Sequence, residues 1–275
     1  MEDLQSFIKV PVDHKLSVDG IYNIAPDSFN ERLFSFLDRF TEIQTKEKNY
    51  RLPFHLYEQF PNLTIQELAS ETFTRKQDLK ILDKHFQKYL SSTNRVLEIG
   101  GWNGWLTNRL SDRGLKVITV DIFEDEENGL RSKKHYKNSN WLSVQTDLLD
   151  TSIYNSQFDM IVFNHCSQFL TDPLILVEKY KLLLNRNGVL LILGNTFYKN
   201  TDAKASEVLK TDMYFKKNYD FNIRFYPSKG YFSYEDFDHF SKNNFKFISY
   251  KFSVPGIIKK FLKKEKSGIL YFINP

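Results

Sequence analysis

A short glycine-bearing segment is the part of the sequence best suited to chemistry. Residues 100–104 read Gly-Gly-Trp-Asn-Gly, after an apolar run and before a segment with helical spacing. Glycine lets a backbone approach a ligand closely, and the free amides at the start of a helix can face that ligand. Asp121 ends the next apolar run, where a carboxylate can accept hydrogen bonds from both hydroxyls of a ribose. Together these features predict a nucleoside site.

Two other phosphate-binding patterns are absent from the sequence. The dinucleotide pattern G-x-G-x-x-G would need glycine at positions 100, 102 and 105, but Trp102 and Trp105 occupy the last two. A wide side chain at 105 prevents the close helix packing and the pyrophosphate approach of that motif. No G-x-x-x-x-G-K-[ST] loop for a triphosphate occurs either. The segment therefore favours a nucleoside cofactor without a pyrophosphate, and a nicotinamide oxidoreductase ranks last.

The elements that must position these residues change character near Ser91. Before it, residues 28–40 and 64–90 carry apolar side chains at spacings near three and four, which predicts helices. After it, short runs rich in Val, Ile and Leu alternate with amphipathic stretches, as in a parallel sheet covered on both faces. The predicted strands are 95–99, 116–120, 141–145, 159–163 and 189–193.

Residues that favour the start or the end of a helix mark the helices between these runs. One helix is predicted over 104–113 and ends at Gly114, and another runs from Asp172-Pro173 to about residues 187–188. A helix over 231–244 is expected to lead into a strand at 245–252, followed by a last strand at 269–273. Residues 195–229 are interpreted as an insertion, which at the carboxyl end of a strand usually shapes a substrate pocket.

Several landmarks occur in a fixed order and carry a family resemblance. They are Glu98-x-Gly100 with Gly104, then Asp121, Asp147-Leu148, and Asp172-Pro173 leading to Leu184 and Gly188. Over residues 95–193 the chain resembles the class I S-adenosylmethionine-dependent methyltransferases. The resemblance implies an α/β fold with a Rossmann-like, doubly wound sheet of seven strands in the order 3-2-1-4-5-7-6. The change of pattern near Ser91 further divides the chain into a helical N-terminal accessory or cap region over 1–90 and an expected methyltransferase domain over 91–275.

The resemblance assigns roles to individual residues. An acid at the position of Glu98 lies near the methionine end of the cofactor, and the carboxylate of Asp121 holds the ribose. Asp147 contacts the adenine amino group while Leu148 donates its backbone amide. The expected cofactor-binding residues are Glu98, Gly100, Gly101, Gly104, Asp121, Ile122, Asp147, Leu148 and Asn164. No cluster of His, Cys and carboxylates has the spacing of a metal site, so no metal is expected.

His165, at the end of the fourth strand, is the candidate catalytic residue. Methyl transfer from a sulfonium is an in-line displacement that mainly requires positioning, so a base is optional. An imidazole can take the proton of a hydroxyl or amine acceptor, and the alternative is that His165 only packs or positions. The neighbouring Cys166 is expected to be a small buried residue. The Asn-Pro-Pro-aromatic pattern of base- and amide-methylating enzymes is absent, and we predict a small-molecule acceptor methylated on oxygen or nitrogen.

Composition leaves two alternatives open. The formal charge is +4 and acids and bases are interspersed, but basic clusters at 131–137 and 259–266 could meet phosphate, which motivates an RNA or DNA methyltransferase. Trp102 stands where the family has a glycine, which motivates a non-catalytic binding or scaffold protein. The single cysteine excludes an internal disulfide framework, and no apolar run reaches the ~20 residues of a membrane span. A cytoplasmic location is expected, without membrane partners.

Overall fold

A computed structural model of the protein describes residues 6–9, 15–16, 19–47, 52–155, 157–250 and 265–275. Within these ranges a single sheet runs through the molecule, flanked by helices. The strands are β1 (Lys15–Leu16), β2 (Ile21–Asn23), β3 (Arg95–Ile99), β4 (Lys116–Asp121), β5 (Leu142–Gln145), β6 (Phe158–Phe163), β7 (Leu184–Tyr198), β8 (Phe232–Ser233), β9 (Lys246–Ser249) and β10 (Glu265–Ile273). The α-helices are α1 (Asp27–Lys46), α2 (Ala69–His85), α3 (Trp105–Ser111), α4 (Pro173–Lys181), α5 (Asp202–Tyr219) and α6 (Tyr234–Lys242).

The strands lie in the order β1-β2-β5-β4-β3-β6-β7-β10-β9, with β8 beside the end of β7. From β5 to β9 this is the predicted order 3-2-1-4-5-7-6, and the Rossmann-like α/β fold is confirmed. Strands β2 to β7 pair in parallel, whereas β10 is antiparallel to both β7 and β9.

The predicted count of seven strands is wrong for the described ranges. β1 and β2 form an antiparallel pair that extends the sheet beyond β5, and β8 adds a short parallel pairing at the end of β7. The N-terminal region is therefore not only helical. Strands as short as β1 and β2 carry too few residues for an alternation pattern, and their pairing depends on the strands beside them.

Alternating side chains of the central strands enter two hydrophobic cores, one on each face of the sheet. In β3, Leu97 and Ile99 face one core and Val96 faces the other. The first core is covered by α1, α4 and α6, and the second by α2 and α3. Burial on both faces explains why these strands are nearly continuous apolar runs.

Two boundaries differ from the sequence prediction. The helix that was predicted to reach residues 187–188 ends at Lys181, and β7 already starts at Leu184. Asn187, with a φ of 61°, lies within β7. The interpreted insertion over 195–229 contains the end of β7 and helix α5, which was not predicted. No residue of α5 is buried, so its apolar positions form no core stripe that sequence periodicity could detect.

Among the helices of the described ranges, none is long and apolar enough to span a bilayer.

Candidate active site

A cavity of about 550 Å³ opens where β3, β4 and β6 end. Gly100, Asp121 and Asn164 line it, and each follows or ends one of these strands. The chain order of the sheet reverses at β3, and open α/β sheets bind ligands at such a switch point. The volume lies within the range of small-molecule pockets, ~300–1,000 Å³.

The structure brings six of the predicted site residues to the cavity wall, namely Gly100, Asp121, Ile122, Leu148, Asn164 and His165. Four others, Glu98, Gly101, Gly104 and Asp147, do not line it. Glu98 and Asp147 each form a hydrogen bond with a lining residue, Asn164 and Tyr226 respectively. Trp102 lines the cavity as well.

Packing within the chain explains the two glycines of the turn after β3. A Cβ atom on Gly100, whose φ is 77°, would lie 2.7 Å from the Sγ atom of Cys166. A Cβ atom on Gly101 would lie 2.0 Å from the Oγ1 atom of Thr119 on β4. Gly104 adopts a φ of 76° just before α3. The turn therefore needs glycine for its own close contacts, besides any approach to a ligand.

The carboxylate of Asp121 organises this turn. Its Oδ2 accepts the amide of Trp102 at 2.8 Å, and its Oδ1 accepts the amides of Ile122 and Phe123 at 2.7 and 3.1 Å. Burial raises the pKa of Asp121 to about 6, against the lowering effect of these hydrogen bonds. A carboxylate offers about four acceptor positions, so the three amides leave about one for a ligand.

Glu98 is fully buried behind the wall. Its Oε1 accepts from the Nδ2 of Asn164 at 2.8 Å, and its Oε2 accepts from the hydroxyl of Thr107. Burial raises the pKa of Glu98 to about 8. The Oδ1 atom of Asn164 is itself buried and has no hydrogen-bond partner within the described ranges. Glu98 therefore positions Asn164 instead of facing the cavity.

A buried aspartate holds the ring of His165. The Nε2 of His165 lies 2.7 Å from Oδ2 of Asp78, whose Oδ1 accepts the hydroxyl of Tyr250 at 2.5 Å. Asp78 has no exposed surface, and the backbone of His165 has a φ of 57°. A Cβ atom on Gly194 would lie 2.0 Å from the Nδ1 of His165. The ring is thus clamped between an acid on α2 and a glycine on β7.

Arg75 contributes a cation to the same wall. Its guanidinium carbon lies 5.3 Å from the ring centre of Trp102 and 5.8 Å from that of Trp105. The nearest paired carboxylate oxygen, on Glu71, is 3.8 Å away, and the side chain is only 11% exposed. Its Nε has no partner in the part of the chain that the structure describes. A desolvated and loosely paired cation of this kind suits an anionic ligand group.

Tyr226 from the insertion occupies the wall beside Leu148. Its hydroxyl donates to Oδ1 of Asp147 at 2.8 Å and accepts from the amide of Leu148 at 2.9 Å. Burial raises the pKa of Tyr226 far above its ordinary value. The two groups that the family resemblance assigns to adenine are therefore engaged by a side chain of the protein itself.

Aromatic side chains close the far side of the cavity. Phe36 and Phe40 come from α1, and the ring centre of Phe36 lies 5.3 Å from that of Phe225 in the insertion. The ring centre of Phe40 lies 5.2 Å from that of Phe123, with the two rings tilted by 46°. The N-terminal region and the insertion thus meet over the cavity and give it a largely apolar side.

Sequence reasoning missed Arg75, Asp78 and Tyr226. The spacing of Glu71, Arg75 and Asp78 puts them on one helix face, and this was the available signal. A charged stripe usually faces solvent, so the signal alone does not indicate a buried site. Nothing local marks Tyr226, because its place depends on how the insertion folds back over the sheet. No group of three His, Cys, Asp or Glu side chains that could hold a metal occurs within the described ranges.

The Rossmann-like sheet and a cavity at its switch point define a class of nucleoside-binding α/β proteins. Residues 65–231, more than half of the chain, match the family model described as the methyltransferase domain. The chain belongs to this family and is a class I S-adenosylmethionine-dependent methyltransferase.

Comparison with known proteins gives distant relatives. The chain is 32% identical over 108 residues to ribosomal RNA small subunit methyltransferase A of Fusobacterium nucleatum subsp. nucleatum, covering 38% of the chain and 40% of that protein. The match thus spans less than half of that curated relative. A protein assigned as a sarcosine dimethylglycine methyltransferase, from Galdieria sulphuraria, is 12% identical with a TM-score of 0.53, covering 86% of this chain and 98% of that one. Magnesium protoporphyrin IX methyltransferase of Synechocystis PCC 6803 is 13% identical with a TM-score of 0.46, covering 90% and 100%.

Proposed function

We propose that this methyltransferase methylates an oxygen or nitrogen atom of a small, largely apolar or aromatic acceptor. The observation that carries this proposal is the convergence of Gly100, Asp121, Asn164 and His165 on one cavity whose far side is aromatic. The apolar side matches a flat organic acceptor better than a polar chain, because burial of aromatic surface supplies most of the binding energy of such ligands.

The cavity residues fit S-adenosylmethionine at its ribose and methionine ends. We assign the ribose to the remaining acceptor position of Asp121, and the carboxylate of the methionine part to the loosely paired guanidinium of Arg75. At the adenine end, Asp147 and Leu148 have the correct acceptor and donor, but Tyr226 holds both. When bound, the cofactor supplies a methyl group already activated on a sulfonium.

The chain's own residues then orient the acceptor and take its proton. Asn164 borders the acceptor space, and its hydrogen bond to Glu98 fixes the orientation of its side chain there. Asp78 holds Nε2 of His165, so Nδ1 is the nitrogen of the neutral ring that remains to accept the proton. Positioning of the acceptor supplies most of the rate enhancement, and the base adds to it.

We also propose that residues 1–90 act as a cap and 195–229 as a lid over the acceptor. Arg39 of α1 donates to the carbonyl of Tyr219 at 2.8 Å, and Tyr214 of α5 donates to Glu47 at 2.7 Å. These contacts support the proposal, because they join the two regions beside the aromatic wall.

A nucleic-acid acceptor is the second candidate, favoured by the partial match to a ribosomal RNA methyltransferase. Against this candidate, basic side chains of the cluster at 131–137 are already paired with acidic side chains of the protein. The pairs are Arg131 with Asp19 and Glu124, Lys134 with Glu126, and Lys137 with Glu58. Most of the cluster at 259–266 lies outside the described residues. RNA binding that weakens steeply with salt, and that is lost when Lys259, Lys260, Lys263 and Lys264 are neutralised, would favour this candidate.

Calorimetric titration of S-adenosylhomocysteine into the wild type and Asp121→Asn tests the proposal. We expect clear binding to the wild type and at least about tenfold weaker binding to the variant, ~1.4 kcal/mol. Asp150→Asn is the matched control, because Asp150 also caps a backbone amide, that of Ser152, but does not line the cavity. Absence of binding to the wild type, or equal affinities for both Asp variants, would contradict the proposal.

A further inference from the structure

We propose that Tyr226 closes the adenine subsite of this cavity, and that segment 220–230 must move before the cofactor can bind. The inference rests on the proposed function, because it concerns the binding of S-adenosylmethionine at the same cavity. It makes the insertion a gate for the cofactor, in addition to a cover for the acceptor.

The hydroxyl of Tyr226 makes the two hydrogen bonds that an adenine edge would make. It donates to Oδ1 of Asp147 at 2.8 Å and accepts from the amide of Leu148 at 2.9 Å. Adenine likewise presents an amino donor beside a ring-nitrogen acceptor. The Leu148 amide has a single proton, so it cannot serve the tyrosine and the cofactor at once. Closure by Tyr226 and binding of adenine therefore exclude each other.

Several contacts besides the hydroxyl hold the closed segment. Tyr226 is only 4% exposed, and the neighbouring Phe225 packs edge-on against Phe29 of α1 at 5.4 Å. The guanidinium of Arg32 lies 4.7 Å from the ring centre of Phe225. Thr171 donates to the carbonyl of Pro227 at 3.0 Å. The closed state is thus a docked arrangement of the segment and not a single rotamer of Tyr226.

The ends of the segment are suited to hinge motion. Asp220 and Gly230 both have left-handed backbone, with φ values of 49° and 75°. Changes at a few such end residues are enough to move a lid. Arg224 pairs with Asp212 of α5, which ties the segment to that helix. Because α5 has no buried residue, it can shift with the segment without opening the core.

This arrangement predicts an unusual effect of removing the hydroxyl. An ordinary ligand-binding group lowers the affinity when it is removed. A group that stabilises a closed state raises the apparent affinity when it is removed, because a larger fraction of the protein is then open. In the open state, bound adenine still forms its hydrogen bonds with Asp147 and with the amide of Leu148, so the substitution removes no contact to the ligand.

The experiment is a calorimetric titration of S-adenosylhomocysteine into the wild type, Tyr226→Phe and Tyr231→Phe. Tyr231 is the matched control, since its hydroxyl makes no hydrogen bond with any residue in the described ranges and does not line the cavity. We expect Tyr226→Phe to bind about tenfold more tightly than the wild type, ~1.4 kcal/mol, and Tyr231→Phe to bind as the wild type does. Unfolding temperatures of all three proteins establish that each is folded.

The outcomes separate this inference from the proposed function. If the wild type binds and Tyr226→Phe binds equally or more weakly, the gate is refuted and the proposed function stands. If none of the three proteins binds, both are refuted. Hydrogen exchange of the Leu148 amide in the ligand-free protein is the second measurement. Faster exchange in Tyr226→Phe than in the wild type supports the closed contact, and unchanged exchange refutes it.

Discussion

The Nε2 atom of His165 lies 2.7 Å from the Oδ2 atom of Asp78, which joins the end of β6 to helix α2. The two residues are far apart in the sequence, and only one of them was a predicted site residue. The pair gives the imidazole a fixed orientation at the cavity wall, because Asp78 is fully buried and is itself held by Tyr250. It makes the N-terminal region part of the proposed catalytic apparatus.

The first prediction concerns the tautomer of His165. We expect the neutral ring to carry its proton on Nε2, because Asp78 accepts it, and to lose this preference in Asp78→Asn. Long-range ¹H–¹⁵N correlation spectra at alkaline pH measure the tautomer, with the exposed His85 as an internal control. A proton found on Nδ1 in the wild type would show that His165 is not the proposed base.

The second prediction concerns the pH dependence of stability. Burial raises the pKa of Glu98 from 4.5 to about 8, so the folded protein binds this proton more tightly than the unfolded chain. The stabilising contribution is complete below pH 4.5 and is lost as the pH rises through 8. Between pH 5 and 8 the free energy of unfolding should fall by about 3–4 kcal/mol from this group, since the slope approaches ~1.36 kcal/mol per pH unit between the two pKa values and flattens near each of them.

Glu98→Gln should remove most of that pH dependence, since an amide does not titrate in this range. Urea unfolding at pH 5 and at pH 8 measures the difference. Glu31→Gln, at an exposed position of α1, should leave the pH dependence as in the wild type. Equal slopes for Glu98→Gln and the wild type would contradict the burial of a proton at Glu98.

The third prediction concerns the turn after β3. Gly101→Ala should destabilise the protein by about 1–3 kcal/mol, because its Cβ would overlap the Oγ1 of Thr119. Combined with Thr119→Ala, the cost should be at least ~1 kcal/mol below the sum of the single changes. Denaturant unfolding of the wild type, Gly101→Ala, Thr119→Ala and the double variant measures this coupling. For the control Ser241→Ala, on the remote α6, the change in the free energy of unfolding should add to that of Gly101→Ala. Additive changes for Gly101→Ala and Thr119→Ala would show that the Cβ atom at position 101 does not collide with Thr119.

The fourth prediction concerns Arg75. Arg75→Met should weaken binding of S-adenosylhomocysteine at least about tenfold, since charge-assisted hydrogen bonds contribute ~1.5–3 kcal/mol. It should leave 5′-methylthioadenosine binding within about twofold, because that ligand lacks the carboxylate. Arg113→Met is the control, since Arg113 pairs with Asp83 and does not line the cavity. Equal losses for both ligands would assign Arg75 a packing role only.

Patterns within a few residues predicted the central strands, and these predictions are confirmed. Both faces of the parallel sheet are buried at β3, β4 and β6, so most residues of these strands are apolar. An apolar run of this kind is visible in a short stretch of sequence. The end of α4 and the whole of α5 were missed, since neither carries a local apolar stripe or cap that marks it.

Local sequence order was sufficient to place Gly100, Asp121 and Asn164 at one edge of the sheet, because the carboxyl ends of parallel strands converge there. It could not show that Asp78 and Arg75 turn inward, or that Tyr226 reaches Leu148. These contacts join elements that lie distant in the chain. Their geometry follows from how a helix and an insertion pack over the finished sheet, and no short window of sequence carries that information.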